Sequence, residues 1–125
     1  MNQTILEKVL KFRDDRNWKQ FHNPKDLAIS LSLEASELLE NFQWKSSEEA
    51  VETKKEDMKD ELADVLIYSM LLADQLDIDL EEIIINKIEK NNKKYPVEKS
   101  RDSKKKYNEI LKRPAVVCQL KNNTV

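Results

Sequence analysis

Apolar residues recur along this chain every three or four positions, and the runs they form stand between helix-start signals. That period predicts amphipathic helices. Thr4-x-x-Glu7 has the form of a capping box and predicts a first helix over about residues 5–17, with Ile5, Val9 and Phe12 on one face. Asn23-Pro24 sets an N-cap before a first-turn proline and predicts a second helix over about 24–44. Ser46-x-x-Glu49 and Asp79-x-x-Glu82 predict a third helix over about 47–76 and a fourth over about 80–94. Pro96 opposes continuation, so a short further helix is expected only near about 103–112. The stretch Pro114–Val125 has no acid and no clear period, and reads as a frayed tail or a docking segment. The expected architecture is therefore all-α: a four-helix-bundle-like domain over residues 1–113, ending in the short helix, followed by a C-terminal tail, residues 114–125.

The second and third helices are apolar on more than one side. On a wheel at about 100° per residue, Leu27, Leu31, Ala35, Leu38 and Phe42 fill one side of the second helix, while Ile29, Leu33 and Trp44 form a second patch. Glu34 and Glu37 fall in the gap between the patches, which favours an enclosed cleft over a solvated face. The third helix carries Leu62-Ala-Asp64-Val-Leu-Ile-Tyr68-Ser-Met-Leu-Leu-Ala73, apolar nearly all round, so this stretch is expected to be buried. A lone carboxylate inside it, Asp64, is costly unless something cationic meets it. Helices with more than one apolar side also favour assembly of several copies.

Composition narrows the alternatives. With no glycine, the phosphate loops of P-loop and Rossmann proteins are excluded, and hairpin-rich β folds are disfavoured. Charged residues make up 37%, but 22 basic against 24 acidic side chains leave a net charge of −2, which gives no footprint for a nucleic-acid polymer. A single cysteine, Cys118, excludes an internal disulfide and a cysteine-rich zinc site. No apolar run reaches the roughly 18 residues of a membrane span and no signal peptide is visible, so a cytoplasmic protein away from membranes is expected.

Residues three apart on a helix project to the same side. Glu34 with Glu37, and Glu61 with Asp64, thus each form a two-carboxylate claw. Two such helices packed together would gather four carboxylates, whose repulsion is tolerable with a cation between them. Oxygen-only ligands suit Mg²⁺ or Mn²⁺. The plainer alternative is that these are the polar edges of amphipathic helices; the apolar surround of Asp64 is what tips the balance to a metal. Di-iron bundles need Glu-x-x-His motifs, and the only histidine, His22, belongs to none.

Trp18, Phe21, Trp44 and Tyr68 lie near the claws in sequence and suit the stacking of a planar ligand; core packing is the competing role, evenly matched for Phe21 and Tyr68. The run Lys87-Ile-Glu-Lys90-Asn91-Asn92-Lys93-Lys94-Tyr95-Pro96 could collect phosphates, or could be a solvated helix end where lysines meet the macrodipole.

Taken together, these segments resemble the MazG-like, all-α nucleoside triphosphate pyrophosphohydrolases, and within them the dCTP pyrophosphatase branch. The matching residues are Arg13-Asp-Asp-Arg-Asn-Trp18-Lys-Gln-Phe21-His22-Asn-Pro24, Leu33-Glu34-Ala-Ser-Glu37-Leu-Leu-Glu-Asn-Phe42-Gln43-Trp44-Lys45, Glu61-Leu-Ala-Asp64-Val-Leu-Ile-Tyr68 and Asn91-Asn-Lys-Lys94-Tyr95-Pro96, in the family's order. The resemblance implies that Glu34, Glu37, Glu61 and Asp64 hold Mg²⁺. It implies that Trp18, His22 and Trp44 line the base pocket with Phe21 in support, that Tyr68 touches sugar or base, and that Lys87, Asn91, Lys94 and Tyr95 face the phosphates. The implied reaction is hydrolysis of a (deoxy)nucleoside triphosphate, dCTP or a modified dCTP, to monophosphate and pyrophosphate as nucleotide-pool house-cleaning, with Glu37 taking the water's proton. It also implies a homodimer or homotetramer. The alternatives are the same fold turned to dUTP or dATP, and a non-catalytic helical oligomer that binds a nucleotide. The departures are the short segment between the claws, Val9, where relatives can carry a polar base contact, and the tail from Pro114, which has no familial counterpart.

Overall fold

The computed structural model describes residues 3–104. The chain divides into two compact units at Glu81/Glu82. The first holds α1 (Gln3–Asp15), a 3₁₀ turn (Lys19–Phe21), α2 (Pro24–Glu40) and α3 (Ser47–Gln75); α4 (Leu80–Lys94) begins at its end. The second holds the rest of α4 and the single turn α5 (Val97–Ser100). No strand occurs among the described residues, so the all-α expectation is met. No described helix is long and apolar enough to cross a membrane. The helix expected near 103–112, apart from its first two residues, and the tail 114–125 lie outside the described residues.

The caps at Asn23 and Ser46 act where the sequence placed them. Asn23 accepts the Asp26 amide at 2.9 Å and opens α2 ahead of Pro24, and Ser46 accepts the Glu49 amide at 3.2 Å and opens α3. Thr4 is a correction: α1 already includes Gln3, so Thr4 lies within the first turn rather than before it. α2 also stops earlier than expected, at Glu40, and residues 41–44 form turns.

With no glycine available, other residues take the left-handed backbone at helix ends: Asn17 (φ 52°) after α1, Asp77 (φ 54°) after α3 and Trp44 (φ 61°) in the α2–α3 link. After α1 the amides of Asn17 and Trp18 return to the carbonyls of Asp14 (3.0 Å) and Arg13 (3.1 Å). After α3 those of Asp77 and Ile78 return to Asp74 (3.1 Å) and Ala73 (2.9 Å). Both pairs are Schellman stops, which satisfy carbonyls that a helix end would otherwise leave orphaned.

In the first unit α3 is the central element, packed against both α1 and α2. Its core is small: Leu27, Ala50, Met70, Leu71 and Ala73 are the buried apolar residues. The inward stripe of α2 runs Leu27, Leu31, Glu34 and Leu38, at intervals of three and four, and continues to Asn41 at its C-cap. The expected second patch of α2 is therefore left uncovered among the described residues, with Ile29 and Leu33 exposed. The burial expected all round α3 is likewise incomplete, because Leu62 (50%) and Leu66 (41%) stay exposed. A helix this apolar needs cover on more sides than α1 and α2 supply.

Candidate metal centre

Glu34 occupies a position on α2's inward stripe that an apolar side chain would normally fill. On α3, Glu61 and Asp64 lie on the half-buried face that includes Met58, Val65 and Tyr68. Each of Glu34, Glu61 and Asp64 offers a carboxylate oxygen, all within 4.8 Å of one another. Thus the two claws, 24 residues apart between Glu37 and Glu61, converge because their helices pack together. Glu37 is the exposed member and sits within hydrogen-bonding reach of Glu34 and Glu61.

The four carboxylates repel one another. Burial, then the hydrogen bond and charge of Glu37, then the charges of Asp64 and Glu61, push the Glu34 carboxyl up to about 7. Burial, then the hydrogen bond and charge of Glu37 and the charge of Asp64, raise Glu61 as well, against a hydrogen bond with Glu34 that lowers it. Oε2 of Glu61 is buried with no hydrogen-bond partner. Among the described residues, no ion pair engages any of the four carboxylates. Clustered oxygens and an orphaned acceptor, with no ion pair to them among the described residues, fit a hard divalent ion.

An open cavity of about 490 Å³ adjoins this cluster, with Glu37 and Glu61 in its wall beside Gln43, Trp44, Lys45 and Lys54. Lys45 and Lys54, not singled out from the sequence, are the basic residues of that wall. Their signal was present: both lie in the short segment between the claws. Trp44 is 99% exposed on a left-handed backbone, so it is no core residue of this chain.

The other aromatic group forms separately, at the end of α1. Trp18 packs edge-to-face on Phe12, and Phe21 is exposed nearby in sequence. His22 is half-buried; burial first, and then the Arg13 charge, hold its imidazole below the usual histidine range. Its Nδ1 is buried without a partner. Tyr68 is half-buried on α3, one turn beyond Asp64. Lys87 is exposed and Asn91, Lys94 and Tyr95 are half-buried, all in the second unit.

Sequence reasoning gave no role to Arg13, which is only 4% exposed and donates to Asp74 (2.6 Å) and Asp14 (2.8 Å). The available signal was a charge one residue after Phe12, on the inner side of α1.

The MazG-like family profile matches residues 29–110, which contain both claws. The chain belongs to the MazG-like family. Within that family it is similar to dCTP pyrophosphatase 1 of Mus musculus, at 39% identity over 105 residues. The rat and human proteins of that name are 41% and 36% identical over the same length. Each alignment covers 80% of this chain but 62% of the relative, so the chain spans less than two thirds of these relatives. It is also similar to the crystal structure of a pyrophosphatase from Archaeoglobus fulgidus, at 45% identity and a TM-score of 0.71, covering 75% of this chain and 91% of that one.

Proposed function

We propose that this protein is a Mg²⁺-dependent nucleoside triphosphate pyrophosphohydrolase that acts in the cytoplasm on dCTP or a modified dCTP. The observation that carries the reading is the convergence of Glu34, Glu61 and Asp64 within 4.8 Å, in a chain of the MazG-like family. The names of its relatives support dCTP as the substrate.

Glu34, Glu37, Glu61 and Asp64 would hold the divalent ion. When bound, such an ion neutralises phosphate charge and acidifies a ligated water. Glu37, the exposed carboxylate at the cavity wall, accepts the proton of the attacking water. The water's oxygen joins phosphorus, the α–β phosphoanhydride breaks, and its electron pair leaves on the departing phosphate oxygen. The products are a nucleoside monophosphate and pyrophosphate. Trp18, Trp44 and His22, with Phe21 and Tyr68, are assigned to the nucleoside; His22, held neutral and with Nδ1 buried, can present Nε2 to a base edge as a donor in one tautomer or an acceptor in the other. Lys87, Asn91, Lys94 and Tyr95 are assigned to the phosphates. Without a glycine loop, side chains must do what backbone amides do in a P-loop.

The active form is proposed to be a homodimer or a dimer of dimers, because Ile29, Leu33, Leu39, Leu62 and Leu66 are exposed in the single chain. Light scattering that returned 14.8 kDa across micromolar dilution would refute the assembly. The function is tested by incubating a panel of dNTPs with and without Mg²⁺ and separating the products. Monophosphate and pyrophosphate from dCTP, dependent on the metal, are expected. Preference for dUTP or dATP would reassign the base, a diphosphate product would overturn the reaction, and no turnover would leave a nucleotide-binding oligomer.

A further inference from the structure

The turn that ends α1 holds a three-membered stack. Its Schellman stop brings Trp18 back over the last turn of the helix, where such stops commonly make an apolar contact. Here the partner is Phe12: ring centroids are 5.8 Å apart and the planes cross at 79°, the edge-to-face arrangement favoured by ring quadrupoles. Arg16 lies over both rings, its guanidinium carbon 3.7 Å from the Phe12 centroid and 5.9 Å from that of Trp18. Its Nη1 also donates to the Phe12 carbonyl at 3.0 Å. The guanidinium is thus fixed by its own helix as well as by the rings.

This stack is not core. Phe12, Arg16 and Trp18 are all exposed, at a place where a lone tryptophan would sample several rotamers. An indole held beforehand in one rotamer gives up less freedom when a ligand stacks on it.

We propose that Arg16 is a positioning residue for nucleotide recognition: by clamping Phe12 and Trp18 it holds the indole ready for the base. The proposal rests on the assignment of Trp18 to the base. Arg16 acts through Trp18 and does not itself touch the nucleotide.

The test uses the full chain as wild type and as Arg16→Ala, Arg16→Lys, Trp18→Ala and the Arg16→Ala/Trp18→Ala double variant. It measures KM and kcat on the best substrate of the dNTP panel and the indole N–H resonance of Trp18, identified by its loss in Trp18→Ala. Cation–π contacts at exposed sites correspond to roughly a two- to fivefold change. Arg16→Ala should therefore raise KM by about that factor, leave kcat unchanged and shift and broaden the Trp18 resonance. Arg16→Lys, which keeps the cation but not the planar stack, should recover part of the KM. The double variant should match Trp18→Ala, because a positioning residue has nothing left to position. Wild-type KM in Arg16→Ala, with KM raised in Trp18→Ala, would overturn the proposal and leave the base assignment standing. An Arg16→Ala effect that adds fully to that of Trp18→Ala, or that falls on kcat, would overturn it by making Arg16 a direct contact or a general structural residue. Unchanged KM in Trp18→Ala would overturn the base assignment and this proposal with it.

Discussion

Arg13 on α1 and Asp74 at the end of α3 are joined by a 2.6 Å hydrogen-bonded ion pair across 61 positions of sequence. The guanidinium is nearly inaccessible, and its second carboxylate, Asp14, comes from its own helix. The pair therefore fixes the end of α1, and with it the turn that carries Trp18, to the central helix.

Removing Asp74 would strand a buried charge with only a local partner. Breaking a buried pair costs about 3–5 kcal/mol, and the partial exposure of Asp74 places this one toward the low end. Asp74→Ala is expected to lower Tm by roughly 10 °C. Circular-dichroism melts check it, and a Tm within a degree or two of wild type would show the pair to be dispensable.

Asp64→Asn should reduce turnover at saturating Mg²⁺ by at least about 100-fold, since loss of one ligand removes charge that the ion's site depends on. Glu56→Ala, on the same helix but exposed and paired with Lys59, should leave turnover within about twofold. Comparable rates in the two variants would remove Asp64 from the metal centre.

The carboxylate cluster predicts an unusual dependence on pH. The folded Glu34 carboxyl is raised to about 7 from an ordinary 4.5, so the folded state holds a proton that the unfolded state releases. Stability from this group is intact below the unfolded value and is lost as pH rises through the folded one. In EDTA, denaturant titrations should therefore show the protein weaker at pH 8 than at pH 6. Mg²⁺ should reverse that difference, and Glu34→Gln should flatten it in EDTA. His22, held below its usual range, works in the opposite direction at the acid end, so the wild-type-minus-variant difference is the quantity to read. Equal pH slopes for wild type and Glu34→Gln would contradict the assignment.

Trp44 stands on a left-handed backbone that a large side chain enters only at a cost of about 1–2 kcal/mol. It is fully exposed, so its ring contributes little to packing within the chain. Trp44→Asn is expected to keep or slightly raise Tm while weakening a non-hydrolysable dCTP analogue roughly tenfold, the value of a lost stacking contact. A large fall in Tm with unchanged affinity would instead make Trp44 an assembly residue.

Helix identity and most helix limits were legible in the residues, because caps and turns are local interactions. Asn23 and Ser46 accept amides three positions away, and Tyr95, the residue before Pro96, lies just past the end of α4. The i, i+3 geometry likewise made each carboxylate claw visible before any fold was known. What periodicity left open was which apolar patch of α2 turns inward, since both patches satisfy it. Packing against α3 decided that, and so placed Glu34 beside Glu61 and Asp64 while leaving Leu33 outside. The Arg13–Asp74 pair was beyond reach for the same reason: a contact across 61 residues depends on where two helices end in space, and no local pattern encodes it. The Arg16, Phe12 and Trp18 stack lies between these cases. Its residues are neighbours in sequence, but only the left-handed turn at Asn17 folds the indole back onto the helix.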